Sequence, residues 1–298
     1  MTGDVGMKDH LVKAVADGVR VHAAVTTRLV NEAIRRHDCW PVAAAALGRT
    51  MTGALLFAAN LKNEEAVTIK FSGNGPLGTV TADAVPEGYV RGYVDQPHVD
   101  LPLNGQGKLD VGRAVGSEGL VSVTRFTRLK DPVSGSAALV NGEIAEDLTH
   151  YLYVSEQTPS SVGLGVLVNP DMTAKAAGGF LLQPLPDADD AVITRLEENL
   201  KGVRSVSHMV EAGLDAKGII AELLKGFEVE YLSETELAFR CQCSKKRIES
   251  VLMSLGADDL QSLIDDGHAE VCCHFCGEKY EFSQEELERL QAERARKG

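Results

Sequence analysis

The chain has 298 residues, 44% of them hydrophobic, and a formal net charge of −13 from 30 Lys+Arg against 43 Asp+Glu. That length can bury a sizeable core and more than one domain, while the acidic balance opposes binding to a phosphate backbone, whose affinity comes from cationic side chains. No stretch reaches the roughly 18 uninterrupted apolar residues of a membrane span, and the opening MTGDVGMKDHLVKAVADG, with Asp4 and Asp9, lacks an apolar signal core. A cytoplasmic protein with no membrane partner is expected.

Residues 10–25 read as two strands around Asp17-Gly18, a strong hairpin signal between β-branched runs. Thr26 or Thr27 can then cap a helix through His37, with Leu29, Val30, Ala33 and Ile34 on one stripe. Pro41 can open a second helix through Leu61, alanine-rich and almost wholly apolar, hence buried. From Ala66 to Asp95 the residues alternate between Gly, Asn and Pro clusters as in an antiparallel meander, and residues 120–182 continue the pattern with a helical interlude at 147–157. These features predict an α+β core domain over 1–182, built mainly on antiparallel sheet with helices.

After Gln183-Pro184-Leu185-Pro186 the composition changes. Between Asp187 and Thr235 helical periods dominate, eleven acids face five bases, and Gly202, Gly213, Gly218 and Gly226 interrupt the run. Short, glycine-broken helices are marginal unless they dock on something, so 183–235 reads as a helical linker. Residues 236–298 read as a third part: a strand into Cys241, helices from Ser244 and Asp258, a β-knuckle at Cys273–Cys276, and a polar helix from Ser283, with Ser283 and Glu286 forming a capping box. Some 60 residues with few large apolar side chains seldom fold without a staple.

The cysteines supply that staple. Five of the six lie between Cys241 and Cys276, and only Cys39 precedes them, so no disulfide framework spans the chain. Clustered thiols of this kind suit a reducing compartment. Cys241 and Cys243 form a C-x-C pair, Cys273 and Cys276 a C-x-x-C pair 29 residues later, and two such pairs can close into one tetrahedral zinc site. Gly277 allows the backbone to turn around the ion, and Ser244-Lys245-Lys246 adds positive charge that favours thiolates. Cys272 offers an alternative three-residue spacing to Cys276. The two-residue spacing followed by glycine favours Cys273, which leaves Cys272 on the other face of its strand. His274 reads as a solvent-facing loop histidine and Cys39 as a small buried residue. A disulfide across the single residue of a C-x-C pair closes a small ring, and strained disulfides are readily reduced again. Zinc is worth roughly 10 to 16 kcal/mol of folding free energy to such modules, so oxidation of the ligands is expected to unfold the module.

The chain resembles the 33 kDa chaperonin family, the redox-regulated holdase chaperones of bacteria. The resemblance rests on FRCQCSKKRIESVL and VCCHFCGEKYEFSQEEL and extends through RRHDCWPVAAAALGRTMTGALL, SGNGPLGTVTADA, LNGQGKLDVGRAVG, SEQTPSSVGLGVLVNPD and AAGGFLLQPLP. It implies a chaperone that is silent while reduced and bound to one zinc ion. It also implies that oxidation forms Cys241–Cys243 and Cys273–Cys276 disulfides, that zinc leaves, and that module and linker unfold. Stress-exposed client proteins are then held without ATP hydrolysis, by a form associated with a homodimer. The extra Cys272 departs from the family pattern and bears on the second disulfide.

Other readings are weaker. Gly73–Gly78 matches G-x-G-x-x-G, but Pro76 lacks a donor and a strand follows, which fits a turn rather than a nucleotide site. A zinc-ribbon adaptor for nucleic acid or a regulatory protein meets nine Lys+Arg against thirteen Asp+Glu over Glu236–Gly298. A metal-dependent hydrolase would need an open coordination position, which four thiolates fill. The chain is therefore not expected to be an enzyme.

Overall fold

The computed structural model describes residues 7–127, 131–186 and 188–297, so that Asp4, Asp187 and the part of the second meander at 128–130 lie outside the described residues. Strands β1 (His10–Ala16) and β2 (Val19–Val25) form the expected antiparallel hairpin, with Ala16 opposite Val19. Asp17 (φ 41°) and Gly18 (φ 77°) both sit in the left-handed region, as the two central residues of a type I′ turn must. Helix α1 (Thr27–His37) buries Leu29, Val30, Ala33 and Ile34. Its cap differs from the expectation. Thr26 stands at the N-cap but bonds Thr52 through its hydroxyl (2.8 Å). The first-turn N–H groups of Arg28 and Leu29 instead donate to the Asp9 carboxylate at 3.0 and 2.6 Å. Helix α2 (Pro41–Ala58) begins at its proline and ends three residues before Leu61. It is the one helix among the described residues long and apolar enough to cross a membrane, and all but Pro41 and Arg49 are buried inside the protein.

Then come β3 (Ala66–Gly73), β4 (Thr79–Ala84), β5 (Tyr89–Val94), a five-residue α3 (Val111–Val115), β6 (Gly119–Phe126), β7 (Val133–Ala138), α4 (Ala145–Val154), β8 (Ser161–Val168) and β9 (Ala174–Pro184). Residues Gly73 to Gly78 carry the chain from β3 into β4, a turn and not a strand-to-helix junction. After β9 lie α5 (Asp190–Gly202), α6 (Val206–Glu211), α7 (Ala216–Leu223), β10 (Glu230–Glu236) and β11 (Ala238–Phe239). One sheet runs β10-β1-β2-β9-β8, a second β11-β5-β4-β3-β6-β7. All their pairings are antiparallel except that of β11 with β5.

Strand alternation divides the first sheet's side chains between two cores. One face, with Leu11, Ala24, Ala177 and Leu181, joins α2 and the apolar face of the second sheet (Ile69, Phe71, Val80, Val121) in the main core. The other face, with Val12, Val19, Val21, Phe180 and Leu182, is covered by Leu196, Val206, Met209, Ile219, Ile220, Leu223 and Leu224 from α5 to α7. The linker helices therefore dock. The sequence reading draws boundaries after residues 182 and 235, whereas the compact units are Met1–Arg240 and Cys241–Gly298. The difference arises because the helices bury their apolar stripes on β1 and β2, and because β10 and β11 complete sheet edges.

The second unit contains α8 (Lys245–Ser254), α9 (Ala257–Asp265), the hairpin β12 (His268–Cys272) and β13 (Lys279–Ser283), and α10 (Gln284–Lys297). Ser283 and Glu286 form the expected capping box, each side chain accepting from the other's backbone N–H (3.3 and 3.0 Å). Its buried core is small: Leu252, Leu260, Ile264, Ala269, Phe282, Leu287 and Leu290. The molecule is of the α+β class.

Candidate metal centre

Two loops of the second unit carry the thiols. Cys241 and Cys243 lie in extended chain before α8, whose start is fixed by Ser244, its hydroxyl accepting from Arg247 N–H at 3.3 Å. Cys273 and Cys276 lie in the turn between β12 and β13. There Cys273 N–H donates to Glu278 O and Gly277 N–H to Cys273 O, both at 2.8 Å. Gly277 adopts φ 68°, a conformation that costs a residue with a Cβ more than it costs glycine.

The four Sγ atoms lie within 4.8 Å of one another. Cys241 Sγ lies 3.8 Å from Cys273 Sγ, and Cys243 Sγ 3.3 Å from Cys276 Sγ. All six cysteines of the chain are free thiols. A tetrahedral ion with metal–sulfur bonds of about 2.3 Å has sulfur–sulfur edges of about 3.8 Å. The donor set thus fits a soft divalent ion with little movement, and these residues could hold one.

The electrostatics of the cluster favours a cation. Cys276 is buried and the other three are half-buried. Burial pushes the Cys276 thiol far up, and contact with Cys243, Cys273 and Cys241 adds to that shift. Burial likewise raises Cys273, with Cys241 contributing. Such thiols keep their protons unless a positive charge replaces them, which couples metal uptake to proton release. The Tyr280 hydroxyl donates to Cys243 Sγ at 3.1 Å. Lys245, expected to bias the thiols, is committed elsewhere, with Nζ 2.7 Å from Glu286 and over the Phe282 ring.

Cys272 ends β12 opposite Lys279, is exposed, and stands outside the sulfur group, as does the exposed His274. Cys39 is buried in the main core, where desolvation pushes its thiol up to about 12. Tyr280 is the site residue that sequence reasoning missed. Its link to Cys243 spans 37 residues, and no local pattern marks it.

The fold and site define a two-unit α+β protein with four clustered cysteines in its C-terminal unit that could hold a metal ion; among the described residues no second group of this kind occurs. A family model for the Hsp33 protein matches residues 9–283. The chain is 52% identical over 288 residues to the 33 kDa chaperonin of Bacillus licheniformis, covering 96% of this chain and 99% of that protein. It is 49% identical over 291 residues to that of Bacillus subtilis, covering 97% and 100%. A crystal structure of the 33 kDa chaperonin from Thermotoga maritima superposes with a TM-score of 0.90 at 34% identity, covering 97% of this chain and 99% of that one. The chain belongs to the Hsp33 family, a family of chaperones and not of enzymes.

Proposed function

We propose that this chaperone is a redox-regulated, ATP-independent holdase of the bacterial cytoplasm. In the reduced state Cys241, Cys243, Cys273 and Cys276 hold one zinc ion, whose charge lets four thiolates share one site. The observation that carries the reading is the approach of all four sulfurs to within 4.8 Å in a unit whose buried core has seven residues. A core that small depends on the metal centre.

Under stress a two-electron oxidant such as hydrogen peroxide converts Cys241 and Cys243 into one disulfide and Cys273 and Cys276 into another. Each pair gives two electrons to one peroxide, which takes up two protons and leaves as two waters. The four sulfurs then no longer serve as thiolate donors, and the unit from Cys241 onward unfolds. Residues 183–235 act as a linker that follows it. Their release would bare Val12, Val21, Phe180 and Leu182, which α5 to α7 cover in the folded chain, along with the linker's own Ile219, Leu223, Leu224 and Phe227. Unfolding proteins bind this apolar surface, and the active form is a homodimer. Neither nucleic acid nor membrane enters the cycle.

The test is to treat purified protein with peroxide at elevated temperature and to follow thiol loss, zinc release into a chromogenic chelator, and suppression of aggregation of an unfolding client. Activity that rises with zinc release is expected. Equal activity before and after oxidation, or none once zinc has left, overturns the reading.

A further inference from the structure

The Tyr280 hydroxyl reaches a sulfur of the thiol group from outside it. Tyr280 lies on β13, half-buried beside the small core, and donates to Cys243 Sγ at 3.1 Å. Cys243 lies in the segment before α8 and Tyr280 on β13, so the bond ties the hairpin to the C-x-C segment across 37 residues. Val271, opposite Tyr280 on β12, is partly buried against the same core, which positions the ring.

We infer that Tyr280 is a positioning residue that sets how fast the metal centre responds to oxidant, by restraining the Cys243 sulfur. The inference rests on the redox-switch reading and concerns the regulation of that site. A thiolate attacks a peroxide oxygen with a sulfur lone pair. The new S–O bond forms as the O–O bond breaks, and the departing hydroxide takes a proton to become water. A second thiolate then displaces hydroxide from the sulfenic acid, forming the disulfide and, after protonation, another water. A hydroxyl donating to the sulfur draws density from the lone pairs that would attack, and at 3.1 Å it occupies one direction of approach. Partners one bond removed from a metal tune it in this way. Cys276 is shielded by burial, whereas Cys243 is half-buried. The hydrogen bond thus guards a sulfur that burial alone leaves reachable.

Tyr280→Phe keeps the ring and deletes the donor. Peroxide-driven zinc release from the full-length protein is expected to accelerate about five-fold in this variant. With cobalt(II) in place of zinc, the sulfur-to-metal charge-transfer band is expected to move to longer wavelength, because the unbonded sulfur holds its electrons less tightly. A merely structural tyrosine would leave that band in place. The opposite perturbation is 3-fluorotyrosine incorporation, which strengthens the donor; Tyr280 is the single tyrosine from residue 241 onward. Slower zinc release than in the unlabelled protein is expected, and this arm stands even where Tyr280→Phe folds poorly. An unshifted cobalt band, unchanged release in Tyr280→Phe, or unchanged or faster release with fluorotyrosine overturns the inference. Failure of the wild-type protein to release zinc with peroxide, or to gain holdase activity, sinks the switch reading instead. The cobalt arm does not depend on holdase activity.

Discussion

At the scale of single residues, two carboxyl and sulfur environments make direct predictions. Asp9 accepts the first-turn N–H groups of α1, and burial raises its pKa from an ordinary 3.8 to about 6 despite those bonds. The folded chain then binds this proton more tightly than the unfolded chain, so the group's contribution is complete below pH 4 and declines as pH rises through 6. A shift of that size is on the order of 3 kcal/mol. Asp9→Asn cannot titrate, so the melting temperature of wild type minus that of the variant should fall by several degrees between pH 4 and 7, measured by calorimetry; a flat difference would refute the assignment. At the metal centre, Cys243→Ser or Cys241→Ser should lower zinc affinity by more than the 10- to 100-fold typical of losing a partner one bond further from a metal, read by chelator competition. The four ligand candidates are legible from sequence because paired thiols in two close spacings carry their chemistry with them. Asp9 and Tyr280 are not legible, since each acts on a residue distant in the chain and brought near only by the fold.

Among the elements, those with local causes are legible and those with remote partners are not. The β1–β2 turn needs only Asp17 and Gly18, and α2 needs only Pro41 and an apolar run. Helix α3, at five residues, is shorter than two turns and shows no periodicity to read. The pairing of β10 with β1 joins residues more than 210 apart, and local propensity says nothing about it. The linker helices illustrate the same division. Their glycine-broken, acidic sequence reads as marginal, and in the fold they are held by apolar burial: Ile219, Ile220 and Leu223 are fully buried against β1 and β2. Docking therefore supplies what propensity lacks. Leu223→Ala should destabilise the first unit by about 2–5 kcal/mol and raise hydrogen exchange in α7 above that in α2. If linker release is the step that exposes client-binding surface, the same variant should suppress client aggregation without oxidant. Aggregation curves identical to those of reduced wild type would separate linker docking from control of activity.

For the whole molecule, stability is unevenly distributed between the two units. The first has two sheets closed around α2 and a second core beneath the linker helices. The second has seven buried core residues and four clustered thiols, of which Cys273 and Cys276 are pushed toward the protonated form by burial and by contact with neighbouring thiols. A metal worth roughly 10 to 16 kcal/mol to such modules exceeds what a core of this size supplies. Protons and metal compete for the same sulfurs, so affinity should fall as pH drops from 7.5 toward 5, most steeply where several thiols take up protons together. A strong chelator added to fully reduced protein at neutral pH should then abolish exchange protection at Leu252, Leu260, Phe282 and Leu287 without oxidising any cysteine. Protection in β1, β2 and α2 should persist, because their burial involves no metal. Mass-resolved hydrogen exchange reads both regions in one sample. Retained protection around Leu260 after complete zinc removal would mean that the C-terminal core stands alone, and then disulfide formation, rather than metal loss, would have to unfold it.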